Sequence, residues 1–200
     1  MTGPQSLELG PAGAPDGGLR ELIAELNMEI LASCVATAPS LHESWHALSG
    51  AGRLRLAGCP FLLVDAGFAR PELWTRLPDF AVREAVPLRT LLANRSALPT
   101  PLLRRVLLLV WHAARANRSS ACVVLGMSGR CAGVIASCRL ADLEALAERR
   151  PGWVRLRWDR QLEVWRAWLS AAAKESPRRL ERLQLWGLQT LAADVRRQSE

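Results

Sequence analysis

Residues 100–116 have the sequence TPLLRRVLLLVWHAARA, and this stretch decides the fold class. Thr100-Pro101 is a typical helix start, because a hydroxyl can cap the helix and proline lacks a backbone N–H that would have no partner there. The helix that follows, to about Ala116, is apolar on nearly all sides through Val106–Trp111. A helix of that kind belongs at the centre of a bundle. We therefore predict an all-α fold, an irregular helical bundle.

Further helical patterns precede this stretch. Pro39-Ser40 predicts the start of a second helix that runs to about Leu48, and Pro71 at a first helical position predicts another. The apolar run Cys59–Val64 fits a buried strand or a buried helix start, and periodicity does not decide between them. A first amphipathic helix is predicted by apolar residues at helical spacing, namely Leu19, Leu22, Ile23, Leu26 and Ile30.

The C-terminal half has the same character. Two short helical patterns cover Ser128–Ala136 and Leu140–Arg149, whereas Cys122–Leu125 fits a short strand or a helix. Asp159 is expected to cap a strong helix, and Ser176-Pro177 to start the last one. The apolar side of that last helix comprises Leu180, Leu183, Gly187, Leu191 and Val195.

Composition divides the chain into three parts. Residues 1–18 are rich in glycine, proline and alanine, which predicts a disordered, flexible N-terminal tail. The mixed segment 78–97, with a proline inside it, is the candidate boundary between two small helical subdomains, 19–97 and 98–200.

The overall charge and the cysteines favour no special chemistry. The formal net charge is +7, but the arginines are spread along the chain with acids nearby, which is typical of solvated helix faces. The five cysteines lack metal spacing, so we expect buried thiols. No signal peptide or membrane-length apolar run is present, which predicts a cytoplasmic protein that reaches a membrane only through partners.

We expect no enzyme, no cofactor and no metal site. The sequence offers no converging set of nucleophile, base and oxyanion donors, and no phosphate-binding loop. His42-Glu43-Ser44-Trp45-His46 matches the HExxH pattern of zinc hydrolases, but a third ligand in a zincin-like arrangement is lacking. The opposing interpretation is a helix start whose Leu41 and Trp45 enter the core.

Eight tryptophans make aromatic surface the more useful signal. Trp165 belongs to an apolar stripe with Leu162 and Leu169, which predicts a core position. Trp168 lies at the edge of that stripe, so we expect it to be partly exposed. Tryptophan and arginine are enriched where proteins bind each other, which makes Trp158, Arg166 and Trp168 the candidate protein interface.

One alternative is a DNA-binding regulator. Two short helices around a turn within residues 128–149 fit a helix-turn-helix. Leu125-Gly126-Met127 with these helices, and then Trp153 to Trp158, is also similar to part of the flagellar regulator FlhD. This similarity covers about a fifth of the chain.

A wider resemblance covers residues 20–170. Leu41-His42-Glu43-Ser44-Trp45 resembles an element near the start of the SctK family of type III secretion systems, in which proline usually stands at the Glu43 position. Leu102–Trp111, Ala113–Val124 and 131–149 follow the family's order, and Pro151-Gly152-Trp153 resembles its Gly/Pro/Trp turn.

This resemblance implies a non-enzymatic cytosolic adaptor, with no catalytic residues. Such a protein would link the cytosolic domains of the inner-membrane ring to the sorting platform beneath the export gate. Its partners would be other secretion proteins, with no small-molecule substrate and no nucleic acid.

Overall fold

The computed structural model describes residues 17–77, 98–150, 152–174 and 177–197. These residues form ten α-helices, one π-helical turn at Leu31–Val35 and a two-stranded antiparallel sheet, so the predicted all-α class is confirmed. The helices are α1 Gly17–Ile30, α2 His42–His46, α3 Gly50–Ala57, α4 Pro71–Thr75, α5 Thr100–Ala116, α6 Arg118–Leu125, α7 Gly129–Ser137, α8 Leu140–Arg149, α9 Leu162–Ala173 and α10 Pro177–Arg197. The strands are β1 Val64–Asp65 and β2 Arg155–Leu156.

Helix α5 lies at the centre of the bundle, as its sequence predicts. It contacts α1, α6, α7 and α8 through buried side chains such as Leu103, Val106 and Val110. It is not buried on every side, however, because Leu108 and Leu109 are half-buried and line an open groove beside α1. Thr100 is the first helical residue and makes no capping bond, so its predicted role as a cap is wrong.

The segment between α3 and β1 is held by buried polar side chains. The fully buried Asn27 amide donates to the Ala57 and Phe61 carbonyl oxygens at 3.2 and 3.0 Å, and its oxygen accepts the Leu63 N–H at 2.9 Å. Of the run Cys59–Val64, Val64 alone belongs to a regular element, strand β1, and residues 59–63 form neither the strand nor the helix start that periodicity left open.

Arg157 fixes the same segment from the other side. Its guanidinium is buried and donates to the Leu62 and Leu125 carbonyl oxygens at 2.8 and 2.7 Å. Burial lowers the pKa of this arginine. Next to it, β2 pairs with β1 through Val64 opposite Leu156 and Asp65 opposite Arg155. Residues far apart in sequence are therefore tied together here.

Helix α9 packs against α2, α3 and α10. It begins at Leu162, and the preceding Gln161 makes no side-chain cap bond. The prediction that Asp159 caps this helix is therefore wrong: Asp159 lies in the exposed turn before it. For α10, the predicted capping residue Ser176 is outside the described residues, and Pro177 is the first helical residue.

Residues from the two predicted subdomains share one hydrophobic core. Ile23 and Leu26 of α1, Leu103 of α5 and Trp165 of α9 all belong to it. The predicted boundary, 78–97, lies outside the described residues, as do residues 1–16 of the predicted tail; Gly17 and Gly18, the last two residues of that predicted tail, already belong to α1. Across the described ranges, no single helix is long and apolar enough to cross a membrane.

Candidate protein-interaction surface

A shallow apolar groove of about 330 Å³ separates α9 from α10. The α9 side supplies Val164, Ala167 and Trp168, and the α10 side supplies Leu183 and Trp186. Glu163 is the one carboxylate among its described lining residues. The groove can therefore receive apolar side chains, with a single acidic group at its edge.

Trp168 is buried, contrary to the prediction that it is partly exposed. It retains 1% of its accessible surface, the same as Trp165. A single apolar stripe assumes one neighbour for α9, but α9 packs against three helices, α2, α3 and α10. Trp168 therefore supports the groove wall from inside and is not an exposed contact residue.

Trp158 connects this core to the surface. Its half-buried ring lies 5.9 Å from Phe61, 5.6 Å from Trp168 and 5.8 Å from Trp186, centroid to centroid. Its backbone has φ of 53°, and no other described non-glycine residue has a positive φ. A left-handed backbone costs a residue with a side chain roughly 1–2 kcal/mol. This strained backbone conformation places the Trp158 indole beneath α10, next to Trp186.

Trp186 is the exposed aromatic residue of the surface, and the sequence argument missed it. It keeps 41% of its accessible surface, and the adjacent Leu185 keeps 54%. Trp186 precedes Gly187 by one position, so it lies about 100° around the helix from that member of the apolar stripe. That offset was visible in the periodicity of α10 and could have identified Trp186.

The charges around the groove are mainly positive. Helix α10 carries five arginines and two acidic residues. On α9 the exposed Arg166, a predicted interface residue, pairs with Glu163 at 2.7 Å. In contrast, Arg179 and Arg182 of α10 pair with no carboxylate among the described residues, and Arg182 Nε donates to the Arg178 carbonyl oxygen instead. Of the three predicted interface residues, Trp158 and Arg166 lie at this surface and Trp168 lies beneath it.

The HExxH segment forms a short helix, α2. Leu41 and Trp45 are in the core, as predicted. His42 and His46 are exposed with ring centroids 4.2 Å apart, and the His42 Nδ1 lies 2.6 Å from the Ala36 carbonyl oxygen, so it acts as a donor. Within the described part of the chain, no three His, Cys, Asp or Glu side chains are arranged to hold a metal ion.

The pair α7 and α8 occupies the position of the predicted helix-turn-helix. Both helices pack against α5, and α8 buries Leu143 and Leu146. The exposed residues of α8 include Glu144 and Glu148, and Glu148 pairs with Arg104 at 3.0 Å. Carboxylates on that face repel the phosphates that DNA-binding helices must approach.

The cysteines lie in environments that favour the neutral thiol. Burial raises the pKa of Cys34 and Cys138 to about 11 and that of Cys131 to about 12, and it also raises the pKa of Cys59. A thiol with such a pKa is protonated at neutral pH and is a poor nucleophile. The chemistry of these residues is therefore that of small apolar side chains.

A second apolar groove, of about 400 Å³, lies between α1 and α5. Leu22, half-exposed, and Leu109 line it. At its edge Arg105 is paired with Glu29, so its charge is already balanced. Its described lining residues include no tryptophan, and the arginine among them, Arg105, is paired.

Comparison of the chain with family models, with curated proteins and with solved structures gives no match.

Proposed function

We propose that this protein is a non-enzymatic adaptor of a bacterial type III secretion system that binds other secretion proteins through the α9–α10 groove. The observation that carries the proposal is the exposure of Trp186 at 41% beside an open apolar groove. Leaving an indole in water forgoes the free energy of burying its apolar area. Tryptophan and arginine together are the residues most often found at the energetic centre of protein interfaces.

The resemblance to the SctK family supports type III secretion as the process in which the protein acts. It covers residues 20–170, which end within α9, so α10 lies outside the resemblance. Its implied role joins the inner-membrane ring to the sorting platform on the cytosolic side. An adaptor needs exposed apolar contact area on a stable core, and the α9–α10 surface supplies such area.

Affinity purification from cells with an active secretion system tests the proposal. The tagged wild-type chain should recover ring or sorting-platform proteins, and Trp186→Ala should reduce their recovery several-fold. Trp186 is a good target because its ring is exposed, so its removal leaves no large cavity in the core.

Leu140 provides the matched control. It is also 41% exposed, but it lies at the start of α8, outside the α9–α10 groove. Leu140→Ala should recover the same partners as the wild type. Recovery of DNA-associated proteins alone, or equal recovery by Trp186→Ala and the wild type, would contradict the proposal.

A further inference from the structure

We infer that the partner segment bound in the α9–α10 groove is an acidic amphipathic helix. This inference rests on the proposed function and specifies the chemistry of the partner. It follows from three features of the described residues: an apolar groove between two helices, unpaired cations along one side of it, and the direction of the α10 dipole.

The apolar part of the partner follows from the groove. Its walls are one turn of α9, from Val164 to Ala167, and one turn of α10, from Leu183 to Trp186. A groove between two helices suits a third helix, whose apolar residues at i, i+3 and i+4 project as a row. Trp186 would pack along that row, and the part of its side chain that is now exposed to solvent would become buried.

The acidic part follows from the positions of the arginines. Arg182 and Arg179 precede Trp186 by four and seven residues, so all three project from one side of α10. No carboxylate in the described ranges neutralises these two arginines. A carboxylate on the partner would therefore gain a charge-assisted hydrogen bond without displacing an existing pair.

The dipole of α10 adds to the same positive potential. The helix has 21 residues, no acidic residue in its first turn, and arginines at 178 and 179. The N-terminal end of a helix carries roughly half a positive charge, so these cations lie at the unfavourable end. Partner carboxylates would neutralise both the side chains and the helix end.

These features favour a protein helix over a nucleic acid or a bilayer. A phosphate backbone has no apolar side chains with which to fill the apolar walls of this groove. A lipid surface is flat at this scale and would leave a groove between two helices unfilled.

Three synthetic helical peptides of about 20 residues test the inference against the full chain. They share one leucine and phenylalanine face and differ in their flanking residues, which are glutamate, glutamine or lysine. By fluorescence anisotropy, the glutamate peptide should bind at least about tenfold more tightly than the glutamine peptide, and the lysine peptide most weakly. The preference should shrink as salt is added.

Charge reversal in the protein provides the decisive comparison. In the double variant Arg179→Glu/Arg182→Glu the order of the peptides should invert, with the lysine peptide binding best. The fold should survive, since acidic residues near a helix N-terminus are stabilising. The control Arg196→Glu/Arg197→Glu makes the same charge change about 15 Å beyond Trp186 along α10, and it should keep the original order.

The possible failures can be told apart. An unchanged order in the double variant, an equally tight glutamine peptide, or no binding by any peptide would overturn the inference, even if Trp186-dependent recovery of secretion proteins upholds the proposed function. Tighter binding of duplex DNA or anionic vesicles at the same arginines would also overturn it. In a further outcome, the order of the peptides inverts as expected in the double variant while no secretion protein is recovered from cells. That outcome would support an acidic helix as the partner and reject the role in secretion.

Discussion

Two tryptophans on α9 differ by one hydrogen bond. Trp165 Nε1 donates to the Arg157 carbonyl oxygen at 3.0 Å. Trp168 Nε1 is equally buried and has no acceptor among the described residues. A buried N–H without a partner costs roughly 1–3 kcal/mol, so the two rings contribute differently to stability although both are in the core.

We therefore predict that Trp165→Phe destabilises the protein more than Trp168→Phe does. Both variants lose a similar part of the indole, but Trp165→Phe also leaves the Arg157 carbonyl without its donor, whereas Trp168→Phe removes an unpaired N–H. The difference in free energy of unfolding should be about 1–3 kcal/mol by urea denaturation. Equal values, or a larger loss for Trp168→Phe, would contradict the prediction.

The same pair shows how far residue-level sequence reasoning extends. The stripe of Leu162, Trp165 and Leu169 correctly placed Trp165 in the core. It misplaced Trp168 because a periodicity argument treats one helix facing one neighbour, and α9 packs against α2, α3 and α10. Trp186 was missed for the related reason that its helix was assessed by its apolar stripe alone.

At the scale of elements, Gly187 sets how closely α10 approaches the core. A Cβ at this position would lie 2.6 Å from Cζ and 3.0 Å from Cε1 of the buried Phe61 ring. Glycine inside a helix ordinarily costs about 0.5–1 kcal/mol relative to alanine. Close packing on Phe61 offsets that cost here.

Gly187→Ala should therefore destabilise the protein, against the normal helix preference. Forcing a methyl group into the Phe61 contact is expected to cost about 1–3 kcal/mol in thermal or urea unfolding. The matched control is Gly18→Ala in α1, where a Cβ would meet nothing within 4 Å. That variant should be neutral or slightly stabilising, and a similar loss in both variants would show that the Phe61 contact is not the cause.

The elements themselves were predictable to different degrees. Pro71 and Pro101 mark the first turns of α4 and α5 as their positions predict. The β1–β2 ladder was not predicted, because each strand has two residues and its pairing partner is distant in the sequence. The adjoining residues Leu62 and Leu63 likewise bond to distant side chains, those of Arg157 and Asn27. Local patterns carry no information about such long-range partners.

At the scale of the whole molecule, stability should fall in alkaline solution. The pKa of Cys34 is raised to about 11 and that of Cys131 to about 12, whereas an unfolded thiol titrates near 8.5. Above that pH the unfolded chain releases protons that the folded chain retains, so the free energy of unfolding decreases as pH rises. Between pH 8 and 10 we expect a loss of at least about 2 kcal/mol, measured by urea denaturation with a reductant present.

The composition makes this measurement clear to interpret. The chain has no tyrosine and a single lysine, so the other side chains that titrate in this interval are mainly the remaining cysteines, whose pKa burial also raises. Cys34→Ala/Cys131→Ala should show a weaker pH dependence than the wild type, even though its stability at pH 7 is lower. A free energy of unfolding that stays constant from pH 8 to 10 would mean that these thiols ionise as easily in the folded chain as in the unfolded one.

The chain of indoles from the core to the surface has an optical consequence. Trp165, Trp168, Trp158 and Trp186 form a series with neighbouring centroids 5.9, 5.6 and 5.8 Å apart. At such separations, light energy absorbed by one ring passes to its neighbours and collects on the ring with the lowest excited state. Trp186 is the most exposed member of the series, so we expect it to emit at the longest wavelength. A blue shift of that emission should therefore report that the α9–α10 groove is covered, without any added dye.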